Sequence, residues 1–298
     1  MYDRTTLDTT RERVLEGLPI VDERVTLAGI PTAVLVGGSG PPIVMLHGQG
    51  EFGATWLRTF AGLVDKHRLI VPDLPGHGAS ELGAGALDRE RIMLWLDALI
   101  DHYCDEPPDL AGHLLGGAIA ARFASAHAGR IRSLVLVDSL GLSWYRPSPR
   151  FALAMIHFVA RPTPRTQDKL FRGCMLDLDT LRTDMDGRME LLEAYALERA
   201  KTPALNVALR RLMPRLGVPP VGDADLARID VPTTLIWGRD DLQVRLSTAQ
   251  AASQRFGWPL HVIDGARDDP AVEQPVSFMQ ALGHALERPR GAVAGVTP

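Results

Sequence analysis

The stretch Asp109-Leu-Ala-Gly-His-Leu-Leu-Gly-Gly-Ala-Ile-Ala-Ala-Arg-Phe-Ala124 constrains this chain more than any other. A short run ends in Gly112-His113-Leu114-Leu115-Gly116-Gly117, and a helix-forming run follows with no spacer. A strand that passes straight into a helix must turn sharply. Small residues on both sides of the turn leave room for a strained backbone and for the elements pressed against it. The spacing is that of G-x-S-x-G, in which such a turn holds a serine at the top of a parallel sheet. Leu114 stands where that serine would be. A leucine has no lone pair and no removable proton, so it cannot attack a carbonyl carbon. The frame for a nucleophile is present and the nucleophile is not.

The rest of the chain supplies the sheet that such a turn needs. Arg24 to Val36 reads as two strands around a tight turn at Ala28-Gly29, after a short helix or arm within residues 1–20. Ile43-Val-Met-Leu46, Leu69-Ile-Val71, Leu134-Val-Leu-Val-Asp138, Thr233-Thr-Leu-Ile-Trp237 and His261-Val-Ile263 are short apolar runs, as expected of buried parallel strands. Residues 88–104 read as an amphipathic helix, with Ile92, Trp95, Leu96, Leu99 and Tyr103 on one face. Alternating strands and helices predict an α/β fold, a mostly parallel sheet with helices on both faces. From about 141 to 229 no strand-like run occurs; the stretch is helical, broken by Pro162, Pro164, Pro203 and Pro214, and is expected to be an inserted helical cap. The expected organisation is therefore a core of 1–140 and 230–288, a cap of 141–229 and a disordered tail of 289–298.

Composition narrows the partners. A net charge of −4 without a dense basic run gives no nucleic-acid footprint. Cys104 and Cys174 are too few for a disulfide framework and read as unpaired thiols. No apolar signal segment and no membrane-spanning run is present, so a cytoplasmic protein with no membrane partner is expected. No spacing of His or carboxylates is of metal-ligand type.

Five motifs, in order, resemble the α/β-hydrolase superfamily over roughly residues 24–288. The oxyanion loop matches His47-Gly48-Gln49, the Asp-x-x-Gly-x-Gly loop matches Asp73 to Gly78, and the elbow matches Gly112 to Gly116. The acid loop matches Gly238-Arg-Asp-Asp241, and the histidine loop matches Gly265-Ala-Arg-Asp268-Asp-Pro270. The resemblance implies an α/β-hydrolase sheet with an inserted helical cap, no cofactor, and oxyanion donors on the backbone of Gln49 and Leu115, beside Gly48. It also implies that Asp241 is the triad acid, that Leu114 replaces the nucleophile and that Asp268 replaces the histidine. Removing serine or histidine from a triad costs about 10⁶ in turnover, on the order of 8 kcal/mol of barrier. The usual acyl-enzyme route is closed to such a chain.

Other candidates for the missing chemistry are weaker. His113 is expected to point into the sheet as a packed core histidine, His261 to be structural, and His47 and His77 to shape their loops. Ser139 is a remote alternative nucleophile, and Asp240 is expected to face solvent. The residues that remain for chemistry are Asp241 and Asp268, placed side by side, where mutual repulsion raises one pKa. The competing reading turns one of them outward, with Arg239 or Arg267 neutralising the other. The function expected is a non-hydrolytic small-molecule enzyme of cyclase, lyase or isomerase type. A silent pseudo-hydrolase that binds a ligand or partner, and an unconventional hydrolase that activates water directly, stay open.

Overall fold

The computed structural model describes residues 4–287; the tail expected at 289–298 lies outside them. Helix α1 (Arg4–Leu15) leads into a hairpin of β1 (Val21–Leu27) and β2 (Ile30–Gly37). Its two turn residues, Ala28 and Gly29, have φ of 46° and 74°. Positive φ at both central positions gives the primed turn whose twist suits a hairpin. β1 is an outer strand with exposed residues along most of its length, and its Asp22, Glu23 and Arg24 discourage edge-to-edge pairing.

β3 (Pro42–Leu46), α2 (Leu57–Leu63), β4 (Arg68–Pro72), α3 (Arg89–Tyr103), β5 (Asp109–His113), α4 (Leu114–Ala126) and β6 (Ser133–Val137) follow. The strands order as β1-β2-β4-β3-β5-β6, completed by β7 (Thr233–Gly238) and β8 (Leu260–Ile263). β1–β2 and β2–β4 are antiparallel; every later pairing is parallel. All residues of β3, β5, β6 and β7 are buried, which is why these strands read as continuous apolar runs. Successive side chains point to opposite faces. Val44 and Leu46 join a core layer with Trp95 and Leu99 of α3 and Ile119 and Phe123 of α4. Ile43 and Met45 join the other layer, with Phe60 of α2. The face predicted for α3 is the buried one: Ile92, Trp95, Leu96 and Leu99 are fully buried, and the Trp95 indole N–H donates to Thr32 Oγ1 at 3.0 Å.

Between β6 and β7 the described chain forms α5 (Pro149–Ala160), α6 (Pro164–Cys174), α7 (Leu178–Asp184), α8 (Arg188–Ala200), α9 (Pro203–Leu212), a π turn at Met213–Gly217 and α10 (Asp223–Leu226). Two of the prolines expected to break helices instead begin them. Pro164 and Pro203 open α6 and α9, after Thr163 and Thr202 side chains that accept from the first turn. The first helical position needs no N–H and favours the proline φ. The chain closes with α11 (Leu246–Phe256), β8, α12 (Pro270–Glu273) and α13 (Pro275–Leu286). Phe278 and Leu282 of α13 pack in the layer that holds α2.

Candidate active site

The turn from β5 into α4 is as sharp as its glycines imply. Leu114 has φ of +43° and is buried. A left-handed conformation at a non-glycine residue costs about 1–2 kcal/mol, so the backbone keeps its strain although the side chain it presents is inert. A Cβ on Gly112 would sit 2.5 Å from the Gly116 carbonyl oxygen, and one on Gly117 would sit 2.3 Å from Ser139 Oγ. The Gly116 N–H donates to the His47 carbonyl at 3.1 Å and thereby ties the turn to the loop after β3. That loop holds Gly48 and Gln49. Leu115 lies in the first turn of α4, where N–H groups have no partner within the helix.

Asp241 and Asp268 are both buried, at 5% and 2% exposure. Neither arginine proposed to neutralise one of them does so. Arg239 pairs with Asp264 at the surface, and Arg267 donates to the carbonyls of Arg172 and Met175. The expectation of an outward-turned partner is therefore corrected: burial of the Gly265–Pro270 loop keeps both acids inside. Gln243, which sequence reasoning missed, joins them. Its backbone N–H donates to Asp241 Oδ1 at 2.6 Å, and its side-chain amide donates to Asp268 Oδ2. Its amide oxygen accepts from Gln49 Nε2 at 2.9 Å and from the Tyr145 hydroxyl at 3.3 Å. Gln243 thus links the acid loop, the Asp268 loop and the Gln49 loop. Gln49 Oε1 and Asp268 Oδ1 are buried without a hydrogen-bond partner.

A third acid was also missed. Asp138 follows β6 directly, is fully buried, has φ of 41°, and accepts from the Gly238 N–H at 3.0 Å. The signal available was an aspartate closing an otherwise apolar strand. Asp138 neighbours Asp241 closely enough for the two charges to act on each other, and Asp138 Oδ2 and Asp241 Oδ2 are buried without a hydrogen-bond partner. Burial raises the pKa of Asp241 to about 7, against two backbone N–H donors. Burial, then the neighbouring Asp241, raises Asp138 and Asp268 well above the ordinary carboxylate range. Burial also raises Asp269 to about 8 and Glu273 to about 7. Among the described residues no group of three His, Cys, Asp or Glu side chains is placed to hold a metal ion.

His113 is not the bland core histidine expected. Its Nδ1 faces Glu51 Oε2 at 3.1 Å and its Nε2 faces the Asp268 carbonyl oxygen. Both partners accept only, so both ring nitrogens donate and the ring is an imidazolium. Burial opposes that charge most, but Glu51, by its charge and its hydrogen bond, together with Asp269 and Asp138, outweighs it and raises the His113 pKa. Glu51 also accepts from the Gly48 N–H at 2.7 Å. The ring sits here because it flanks the turn, where the strand end meets two loops rather than a helix face. His47 donates from Nδ1 to the Gly48 carbonyl and accepts the Leu74 N–H on Nε2, at 2.8 and 2.9 Å. His77 Nδ1 faces the Pro75 carbonyl at 3.2 Å. His261 stacks on His284, Ser139 Oγ donates to the Leu140 carbonyl, and Asp240 is exposed.

An eight-stranded, mostly parallel sheet with antiparallel leading strands and a glycine-framed turn after its central strand defines a recognisable class. Residues 43–281 match the Alpha/beta hydrolase family, and the chain belongs to that family. The pimeloyl-[acyl-carrier protein] methyl ester esterase of Aeromonas hydrophila is 26% identical, over 83% of this chain and 96% of its own. The 2-hydroxy-6-oxo-2,4-heptadienoate hydrolase of Pseudomonas putida is 27% identical, over 89% of this chain and 96% of its own. Among solved structures, naproxen esterase from Bacillus subtilis aligns with a TM-score of 0.81 at 18% identity, covering 94% of this chain and 96% of that one.

Proposed function

We propose that this chain is a non-hydrolytic member of its family, which moves a proton on a small carbonyl-bearing substrate in a pocket closed by the helices between β6 and β7. The observation that carries the reading is Asp268: a buried carboxyl with one oxygen held by Gln243 and the other without a partner. Burial and the neighbouring Asp241 raise its pKa, so it holds its proton to higher pH than an ordinary aspartate and can act as the proton donor. Asp241, with a pKa of about 7, is the group able to take one back. The backbone N–H groups of Gln49 and Leu115, placed by family resemblance, receive the developing enolate oxygen. General acid–base transfer of this kind contributes about 10²–10⁴ in rate, and positioning adds to it in reactions that need no nucleophile. Isomerisation, cyclisation and elimination all fit that chemistry.

The test is proton exchange. Small hydroxy-ketones and 1,3-dicarbonyl compounds are incubated with the protein in D₂O and followed by NMR for deuterium at the carbon beside the carbonyl. Enzyme-dependent exchange that Asp268→Asn abolishes supports the reading. A co-purifying ligand that is released unchanged, with no exchange in any compound, favours the pseudo-hydrolase. The hydrolase relatives favour a second reading, direct activation of water by Asp268. Burial makes Asp268 harder to ionise, and a base must be ionised, which places this reading second; entry of ¹⁸O from labelled water into product would select it.

A further inference from the structure

Helix α5 is apolar on two sides. Its inner side carries Phe151, which is buried, and Met155, whose sulfur lies 3.8 Å from the Tyr145 hydroxyl. Its outer side carries Leu153, Ile156 and Val159, which are 55%, 59% and 57% exposed. A spacing of three places them in one stripe along the helix. Trp144, just before the helix, is 58% exposed. Scattered exposed apolar residues need no explanation, but a contiguous set on one helix and its approach does.

Along the segment that carries the stripe, the charge has one sign. From Ser139 to Gln167 the sequence has no Asp or Glu, in a chain whose net charge is −4. The same stretch holds Arg146, Arg150, Arg161 and Arg165, and all four are exposed. Arg146 and Arg150 lie at the start of α5, and Arg161 and Arg165 follow its end, so cations flank the stripe at both ends. By contrast, the next arginines along the chain, Arg172 and Arg182, are held by Asp168, Asp179 and Glu193.

We propose that α5 and its approach form a docking surface for an anionic lipid bilayer. Trp144, Leu153, Ile156 and Val159 enter the boundary between headgroups and acyl chains, and the four arginines meet lipid phosphates. An apolar face set in a basic surround is what a helix lying in the plane of the interface requires, and tryptophan suits the headgroup level. A second copy of the chain fits worse: two-fold pairing along this stripe brings two sets of arginines together, with no carboxylate from the segment between them. The expectation of no membrane partner considered only spanning segments. Among the described residues no helix is long and apolar enough to cross a membrane, and a helix lying on the surface needs neither property. This proposal is independent of the chemistry assigned to Asp268.

The test is co-flotation of the full chain with extruded vesicles of phosphatidylcholine containing phosphatidylglycerol, and with vesicles of phosphatidylcholine alone. Binding to the anionic vesicles is expected to be stronger by about tenfold or more, since each arginine near such a surface contributes about fivefold, and to weaken as salt is added. Leu153→Ser with Ile156→Ser should remove most of it. Both side chains are exposed, so an unchanged thermal melt shows that the variant is folded. Arg146→Gln with Arg150→Gln should lower binding to anionic vesicles alone. No binding to anionic vesicles, or equal and salt-insensitive binding to both kinds, overturns the proposal. So does a dimer in sedimentation velocity that Ile156→Ser dissolves.

Discussion

A leucine in a strained turn and three buried carboxyls, Asp138, Asp241 and Asp268, define the site at the scale of residues. The first prediction concerns titration. Carboxyl NMR should find Asp241 titrating near pH 7, well above the reference value of about 3.9, and values near the reference for both Asp241 and Asp268 would refute the acid–base site. The second concerns repair. On the proposed reading, Leu114→Ser with Asp268→His would place a serine and a histidine with Asp241 at the existing turn, yet the Gln243 amide lies against residue 268. The double variant should therefore gain little on an activated ester, and adding Gln243→Ala should raise the rate further, by about tenfold or more, since misplacement by about 1 Å can cost 10². Leu114→Ser alone empties a buried site and should cost about 2–4 kcal/mol in a urea melt.

At the scale of elements, the site is a junction of loops held by pairs rather than by packing. Glu51 and His113 join the loop after β3 to the end of β5, and His113 joins both to the Asp268 loop. His113 has a raised pKa, so its contribution is full below the unfolded value, about 6.5, and is lost as pH rises through the folded one. Glu51 has a lowered pKa, so its contribution is present above the unfolded value, about 4.3, and is lost as pH falls through the folded one. The pair is therefore strongest from about pH 4.3 up to and beyond about pH 6.5. His113→Asn should lower stability by about 1–3 kcal/mol near pH 6, and by less once wild-type His113 has lost its charge at high pH. A pH-independent difference would show that the ring acts only by shape.

Over the whole molecule, Asp138, Asp241, Asp268, Asp269 and Glu273 share one sign of shift. All five have raised pKa values, with burial as the largest cause. The folded state holds protons that the unfolded state has released, so stability falls as pH rises from about 4 through the folded values near 7 and 8. Thermal melts should show a lower Tm at pH 9 than at pH 6, and Asp241→Asn should flatten that slope. A Tm that rises over this range would mean that the acids are charged and compensated. Asp73 accepts from Arg11 Nη1 and from the N–H groups of Gly53 and Ala79, each at 2.7 Å. Its partners are built in, and it belongs to the scaffold.

The sequence by itself determined the sheet, the turn and the inert residue on it. Apolar runs, glycine spacing and the periodicity of α3 are local signals, and local signals survive in one dimension. It also placed Asp241 and Asp268 on loops that follow β7 and β8, because strand ends in a parallel sheet converge. Only the tertiary structure decided how those acids are held. Asp138 became part of the site through a contact across 100 residues, and Gln243 through contacts across 25 and 194 residues, which no pattern near Gln243 announces. His113 is buried as its strand position implies, and its partners stay hidden from the sequence for the same reason. Strand alternation says which face a side chain takes, but not that a glutamate 62 residues earlier in the chain and a carbonyl on a distant loop will meet it there and fix its charge.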